Sequence, residues 1–259
     1  MLKQPVFINS IASISALGTS SADIWNNYLH ENSLFQQIDA NQKHYWVSMF
    51  SEKETKQLSE VILSDSKYKH LDKSVVMAIL VARKCFENSR FSDKNVGINF
   101  GSSRGATSLF EKHHSDFISD GFVSTFTSPS TTLGNISSWV SHDLQTDGPE
   151  ISHSITCSTG LHAVLNGIAW LQSGMSSEFL VGASEAPLTP FTLGQLSALK
   201  VYSTEENALA DRCLDFSKTS NTMVLGEAAA CLSLSLLSEN AIAKITGIGF
   251  ATEVLSSST

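Results

Sequence analysis

At 259 residues with 42% apolar content, the chain can bury a core without metals or cross-links, and its length fits one large domain or two small ones. Its 25 acidic residues outnumber 17 basic ones, for a net charge of -8, and no Lys/Arg cluster forms a stripe that could neutralise a phosphate backbone. Nucleic acid is therefore not an expected partner.

Val6, Ile8 and Ile11 mark a first strand that stops at Leu17-Gly18, and Ser20-Ser21 offers an N-cap for a helix carrying Ile24, Trp25, Tyr28 and Leu29 on one face. From Phe35 to Asp65 the pattern reads as polar and irregular, after which Val75, Val76, Ile79, Leu80 and Cys85 predict a helix over 74–88. Val96, Ile98 and Phe100 alternate with Gly97 and Asn99 in the next strand, which leads into Gly101-Ser102-Ser103-Arg104-Gly105. That loop lacks the lysine and glycine spacing of a phosphate-binding loop and reads as a tight strand-to-helix turn. A strand over 150–156, a helix from Cys157 to Gly174 and a strand over 178–183 give a β-α-β unit. Leu232, Leu234 and Leu236 alternate with serines, and a Gly-interrupted strand over 244–250 follows, the two read as a terminal pair. The fold class expected is α/β, with a mixed, largely parallel sheet and helices on both faces. One domain is assigned to residues 1–255 and a polar tail to 256–259.

Cys85, Cys157, Cys213 and Cys231 are widely spaced, with no C-x-x-C pair, so neither a disulfide framework nor a zinc site is predicted. The opening residues lack a basic, then apolar, leader pattern, and no stretch approaches the ~20 apolar residues of a membrane span. A cytoplasmic location is expected.

The chemistry centres on Cys157, where a strand leads directly into Cys157-Ser158-Thr159-Gly160-Leu161-His162-Ala163 and a helix almost without charge. A cysteine at a helix N-terminus meets free N–H groups and the positive end of the dipole, which favour the thiolate and can hold an oxyanion during acyl transfer. Position alone leaves a second reading open, that of a small buried hydrophobe. A serine-hydrolase reading of Val181-Gly182-Ala183-Ser184-Glu185-Ala186 fails because alanine stands where the nucleophile elbow closes with glycine.

Four ordered blocks carry a resemblance over nearly the whole chain: Cys157 to Ala163, Val181-Gly182-Ala183-Ser184-Glu185-Ala186-Pro187-Leu188-Thr189-Pro190, Ala198-Leu199-Lys200-Val201-Tyr202-Ser203-Thr204, and Val224-Leu225-Gly226-Glu227-Ala228-Ala229-Ala230. In order and spacing they resemble the amino-terminal half of β-ketoacyl-ACP synthases. The resemblance implies a thiolase fold, with Cys157 at the acyl-accepting position and with an acyl carrier protein as partner, its phosphopantetheine being the carrier's own; no cofactor of this chain is implied. An acidic carrier would need a local basic patch here, or a basic companion subunit.

In the family, two histidines and a nearby lysine that activate the thiol come from the second half, which lies beyond the match. None of the eight histidines here falls in those motifs. His162, five residues after Cys157, is turned about 140° from it on a helix and reads as structural. His113-His114 reads as a surface pair without a third metal ligand, and Glu185 and Glu227 as buried hydrogen-bonding groups. The resemblance therefore implies a chain-length-factor-like subunit that pairs with a full-length ketosynthase in a heterodimer. It fits the type II polyketide systems that make aryl polyenes. Retention of Cys157, usually replaced in chain-length factors, leaves two readings of the thiol: acyl acceptor or relic. The alternative function is an active ketosynthase, met as a fragment or completed by another subunit. Pro129 to Ile136 resembles the family's loop to the neighbouring pocket, which makes Thr132 and Leu133 the expected tunnel and dimer-interface residues; an ordinary surface turn around Pro129 is the other reading.

Overall fold

The computed structural model describes residues 2–30, 33–89, 91, 94–132, 135–205, 210–212 and 215–251. The elements in chain order are β1 (Val6–Ile14), α1 (Ser21–Leu29), β2 (Gln36–Ala40), β3 (Lys43–Ser48), α2 (Glu52–Ser64), α3 (Lys73–Ser89), β4 (Val96–Gly101), α4 (Thr107–Asp120) and α5 (Thr127–Thr131). They continue with α6 (Asn135–Leu144), β5 (Glu150–His153), α7 (Thr159–Ser173), β6 (Glu178–Glu185), α8 (Pro190–Ala198), β7 (Leu225–Gly226), β8 (Ala228–Ser235) and β9 (Ala243–Ile245).

Among the described residues, six strands form the main sheet in the order β5-β4-β6-β8-β1-β9. The expected mixed α/β sheet is present, but among the described residues two of its pairings are parallel and three antiparallel, so it is less parallel than the β-α-β reading suggests. Its parallel part is β5-β4-β6, where helices cross over between strands, while β8 pairs antiparallel with both β6 and β1. All six residues of β4 are buried, as a central strand covered on both faces requires. Its register sets Phe100 opposite Gly182 and Gly101 opposite Ala183 on β6, which runs on to Glu185, and the N-terminus of α7 lies over Gly101 and Ala183.

One face of the sheet is covered by α3, whose residues from Ser74 to Ala82 are all buried. Asp143 of α6 ties that helix down through Arg83, with Nε donating to Oδ2 at 2.8 Å and Nη2 to Oδ1 at 2.6 Å. The other face carries α7. Gly167 permits its close approach, because a Cβ there would lie 2.4 Å from Val181 Cγ1 on β6.

Three expectations are corrected. The segment 35–65 is ordered: β2 and β3 form a hairpin through Asn41 and Gln42, both at positive φ, and α2 opens on a capping box in which Ser51 and Glu54 bond each other's backbone N–H. The strand expected over 244–250 is only Ala243–Ile245, and it pairs with β1 rather than β8 because β8 already lies between β1 and β6. The face of α1 with Trp25, Tyr28 and Leu29 is not core; Trp25 and Tyr28 are 61% and 71% exposed. The polar tail 256–259 lies outside the described residues.

Candidate functional site

Cys157 stands between β5 and α7, in a 3-10 turn (Thr156–Ser158) that immediately precedes the helix rather than in its first turn. It is a free thiol and exposed. The turn is held under strain: Thr156, a β-branched residue, sits in the left-handed region at φ 48°, which costs on the order of 1–3 kcal/mol and persists only where neighbours enforce it. Thr159 enforces it from one side, its hydroxyl donating to Thr156 O at 2.6 Å and accepting from Ile155 N at 2.9 Å. Ser103 enforces it from the other, its hydroxyl donating to Thr156 O at 2.7 Å.

Ser103 is itself clamped by Glu185 at the end of β6, which accepts from Ser103 N and, at 3.2 Å, from Ser102 Oγ. The carboxylate occupies the Ser103 amide, and Gly105 N donates to Ser102 Oγ at 2.8 Å, so these loop N–H groups are already engaged and carry a negative charge beside them, which disfavours a phosphate there. Ser158 provides no side-chain cap to α7 and Thr159 N–H is taken by Thr156 O, so what the helix offers a negative charge near the thiol is the remainder of its first turn and the positive end of its dipole.

Two imidazoles lie close by, and neither hydrogen-bonds the thiol. His162 Nδ1 is 3.0 Å from Ser158 O on its own helix, as expected of a structural histidine. His153, at the end of β5, has Nδ1 3.1 Å from Asn99 Oδ1 and Nε2 3.1 Å from Thr159 O; burial holds its pKa below the usual 6.5. Among the described residues no hydrogen-bond partner of Cys157 Sγ is seen. Cys85 and Cys231, by contrast, are buried between α3 and β8, and burial pushes the Cys231 thiol well up. Cys213 lies outside the described residues.

A pocket of about 500 Å³ opens beside the Ser103 loop, lined by Arg104, Phe110, Glu111, Thr131, Phe191 and Gln195 among others. Arg104 spans it, Nη1 donating to Gln195 Oε1 at 2.7 Å. Thr132 does not join this pocket. It lies on a separate groove of about 550 Å³ with Pro129, Asn135, Ser138, Trp139 and His142, and Leu133 lies outside the described residues. Its neighbour Thr131 lines the pocket beside the Ser103 loop instead, a distinction that a one-residue offset hides from sequence reading.

Glu227 is buried, accepting from Phe50 N at 3.1 Å and from Lys73 Nζ at 2.6 Å, and is the buried hydrogen-bonding group expected, whereas Glu185 makes its hydrogen bonds from a half-buried position. Ser184 is fully buried, donating to Ser74 O at 2.6 Å, and cannot act as a hydrolase nucleophile. Among the described residues no three His, Cys, Asp or Glu side chains converge as a metal site, and no helix is long and apolar enough to cross a membrane.

The profile described as "Beta-ketoacyl synthase, N-terminal domain" matches residues 3–240. The chain belongs to the β-ketoacyl synthase family. A curated relative, 3-oxoacyl-[acyl-carrier-protein] synthase 2 of Coxiella burnetii, is 26% identical over 90% of this chain and 58% of its own length. The chain therefore spans somewhat over half of that synthase. Among solved structures, a β-ketoacyl synthase from Burkholderia phymatum aligns with TM-score 0.75 at 18% identity, over 90% of this chain and 59% of the other. A ketosynthase in complex with its chain length factor from Xenorhabdus doucetiae aligns with TM-score 0.69 at 17% identity, over 91% and 59%. The fold is thus that of the amino-terminal half of a thiolase-type ketosynthase, and Cys157 is the cysteine that the family resemblance places at the acyl-accepting position.

Proposed function

We propose that this chain is a ketosynthase-like subunit of chain-length-factor type, which pairs with a complete β-ketoacyl synthase and supports acyl chain elongation in fatty acid or polyketide biosynthesis. Aryl polyene formation is the pathway to which the resemblance points. The observation that carries the reading is the open side of the sheet. There α7, a helix with no Asp, Glu, Lys or Arg, leaves Leu161 77% exposed, and β5 forms the sheet edge with Ile151 and Ile155 also exposed. A sheet edge beside exposed apolar surface is a site for strand addition and burial.

Pairing β5 with the corresponding strand of a ketosynthase would give a pseudo-twofold interface, one expected to bury more than the ~2,000 Å² at which obligate complexes begin. For an acidic acyl carrier protein, the turn 66–70 supplies the local basic surface that the overall charge denies. Lys69 and His70 are exposed there, and Lys67 Nζ lies 3.4 Å from His142 Nε2 on the rim of the Thr132 groove.

The strained, solvent-open turn at Cys157 favours a second reading, in which the thiol is itself acylated and the activating groups come from elsewhere. Cys157→Ala in the reconstituted complex separates the two. The subunit reading expects intact assembly and a loss of condensation of well under tenfold, whereas a loss of about a hundredfold or more with the complex intact would establish the nucleophile reading.

A further inference from the structure

The histidine that ends β5 makes no hydrogen bond with the thiol, yet it sits on one of the two elements between which the Cys157 turn is hung, and it is bonded to the other, α7, and to β4. We propose that His153 is the positioning residue of that turn, fixing the first residue of α7 so that the helix N-terminus is aimed at the thiol. The inference rests on the geometry of the turn alone, and holds whether the thiol is an acyl acceptor or a relic.

The ring bridges Asn99 on β4 and the Thr159 carbonyl on α7, at 3.1 Å on either side. Thr159 then passes the constraint on, because its hydroxyl bonds both Ile155 N and Thr156 O, the two residues immediately before Cys157. The space allows little slack: a Cβ on Gly101 would lie 2.2 Å from Thr159 Cγ2 and 3.2 Å from His153 Cε1. Loss of the ring's bond to Thr159 would free the N-terminus of α7 to tilt, and with it the strained Thr156.

Asn99 strengthens the assignment. It is fully buried, and its Nδ2 has no partner when Oδ1 faces the ring. Turning the amide so that Nδ2 donates to His153 Nδ1 pairs the donor and leaves Oδ1 as the atom without a partner, and it lets Nε2–H of the ring donate to Thr159 O. This requires the neutral imidazole, the form that burial also favours. His162, the other imidazole near the ring, acts in the same direction.

The test is the rate at which iodoacetamide alkylates Cys157 in the purified full chain at pH 7, read at the Cys157 peptide by mass spectrometry. Cys157 is exposed, so the rate reports the field of the helix end rather than access. His153→Leu, which keeps the bulk and loses the bonds, should slow the reaction about two- to fivefold, the range one helix terminus provides. His153→Gln, which retains an N–H in place of Nε2–H, should restore the wild-type rate. A folded His153→Leu protein that reacts at or above the wild-type rate would overturn the proposal, as would His153→Gln reacting as slowly as His153→Leu. Should His153→Leu not fold, Thr159→Val removes the relaying hydroxyl at constant shape and must show the same slowing; an unchanged rate there overturns the proposal equally.

Discussion

Two helices cover opposite faces of one sheet, and their burial runs against their composition. The α3 helix carries Lys73, Arg83, Lys84 and Glu87, yet buries every residue from Ser74 to Ala82. The α7 helix carries no charged residue and buries only Thr159, Ala163, Gly167, Ile168 and Leu171. Apolar composition therefore records the surface a helix was shaped to meet, and within the described residues only α3 has met it. The same holds for α1, whose Trp25 and Tyr28 stack on each other in the open rather than in a core.

The contrast should be sharpest in the cysteines. Cys157 should be alkylated in the native protein, while Cys85 and Cys231, locked between α3 and β8, should wait for global opening and react on the order of a thousandfold more slowly. Native labelling of either buried thiol at a rate near that of Cys157 would show that the α3 face is not the closed one.

Stability should divide in the same way. Ile79→Ala, at a fully buried position on α3, is expected to cost about 2–5 kcal/mol in chemical denaturation. Leu161→Ala on α7 should change the stability of the isolated chain by no more than about 0.5 kcal/mol, and should show its effect only as weaker association with a ketosynthase. Equal costs for the two would erase the distinction between the faces.

A smaller effect belongs to His153, where the two faces meet at the end of β5. Its folded pKa lies below the 6.5 of the free side chain because burial disfavours the charged ring. The unfolded chain therefore takes up the proton first as pH falls, and this residue's contribution to stability declines from about pH 6.5 downward, toward its lower folded value. Thermal melts between pH 7.5 and 5.5 should show a shallower decline for His153→Gln than for wild type; parallel declines would remove His153 as a cause.

Much of this was legible in the residues. The alternation of β4, the 3.6-residue repeat of α3 and the glycine ending α7 lie where the sequence puts them, because each is an uninterrupted local signal, whereas β1 is bulged between Ile8 and Ser10 and leaves Ile11 exposed. The hairpin of β2 and β3 was not, since Asn41-Gln42 lacks the glycine that usually announces such a turn. The α2 start was within reach: Ser51 and Glu54 spell a capping box, obscured by the polar residues around it. At the site, Cys157 and its strand-to-helix setting could be read directly. Its supports could not, because Ser103, Glu185, Asn99 and His153 come together only through strand register, which no local pattern encodes.

The most direct test of the open-face account is co-expression with a complete ketosynthase from the same genome, followed by native mass spectrometry at micromolar concentration. The account predicts a one-to-one complex that Leu161→Asp weakens, and a chain that self-associates or is poorly soluble when expressed alone. A well-folded monomer that ignores the ketosynthase would contradict it.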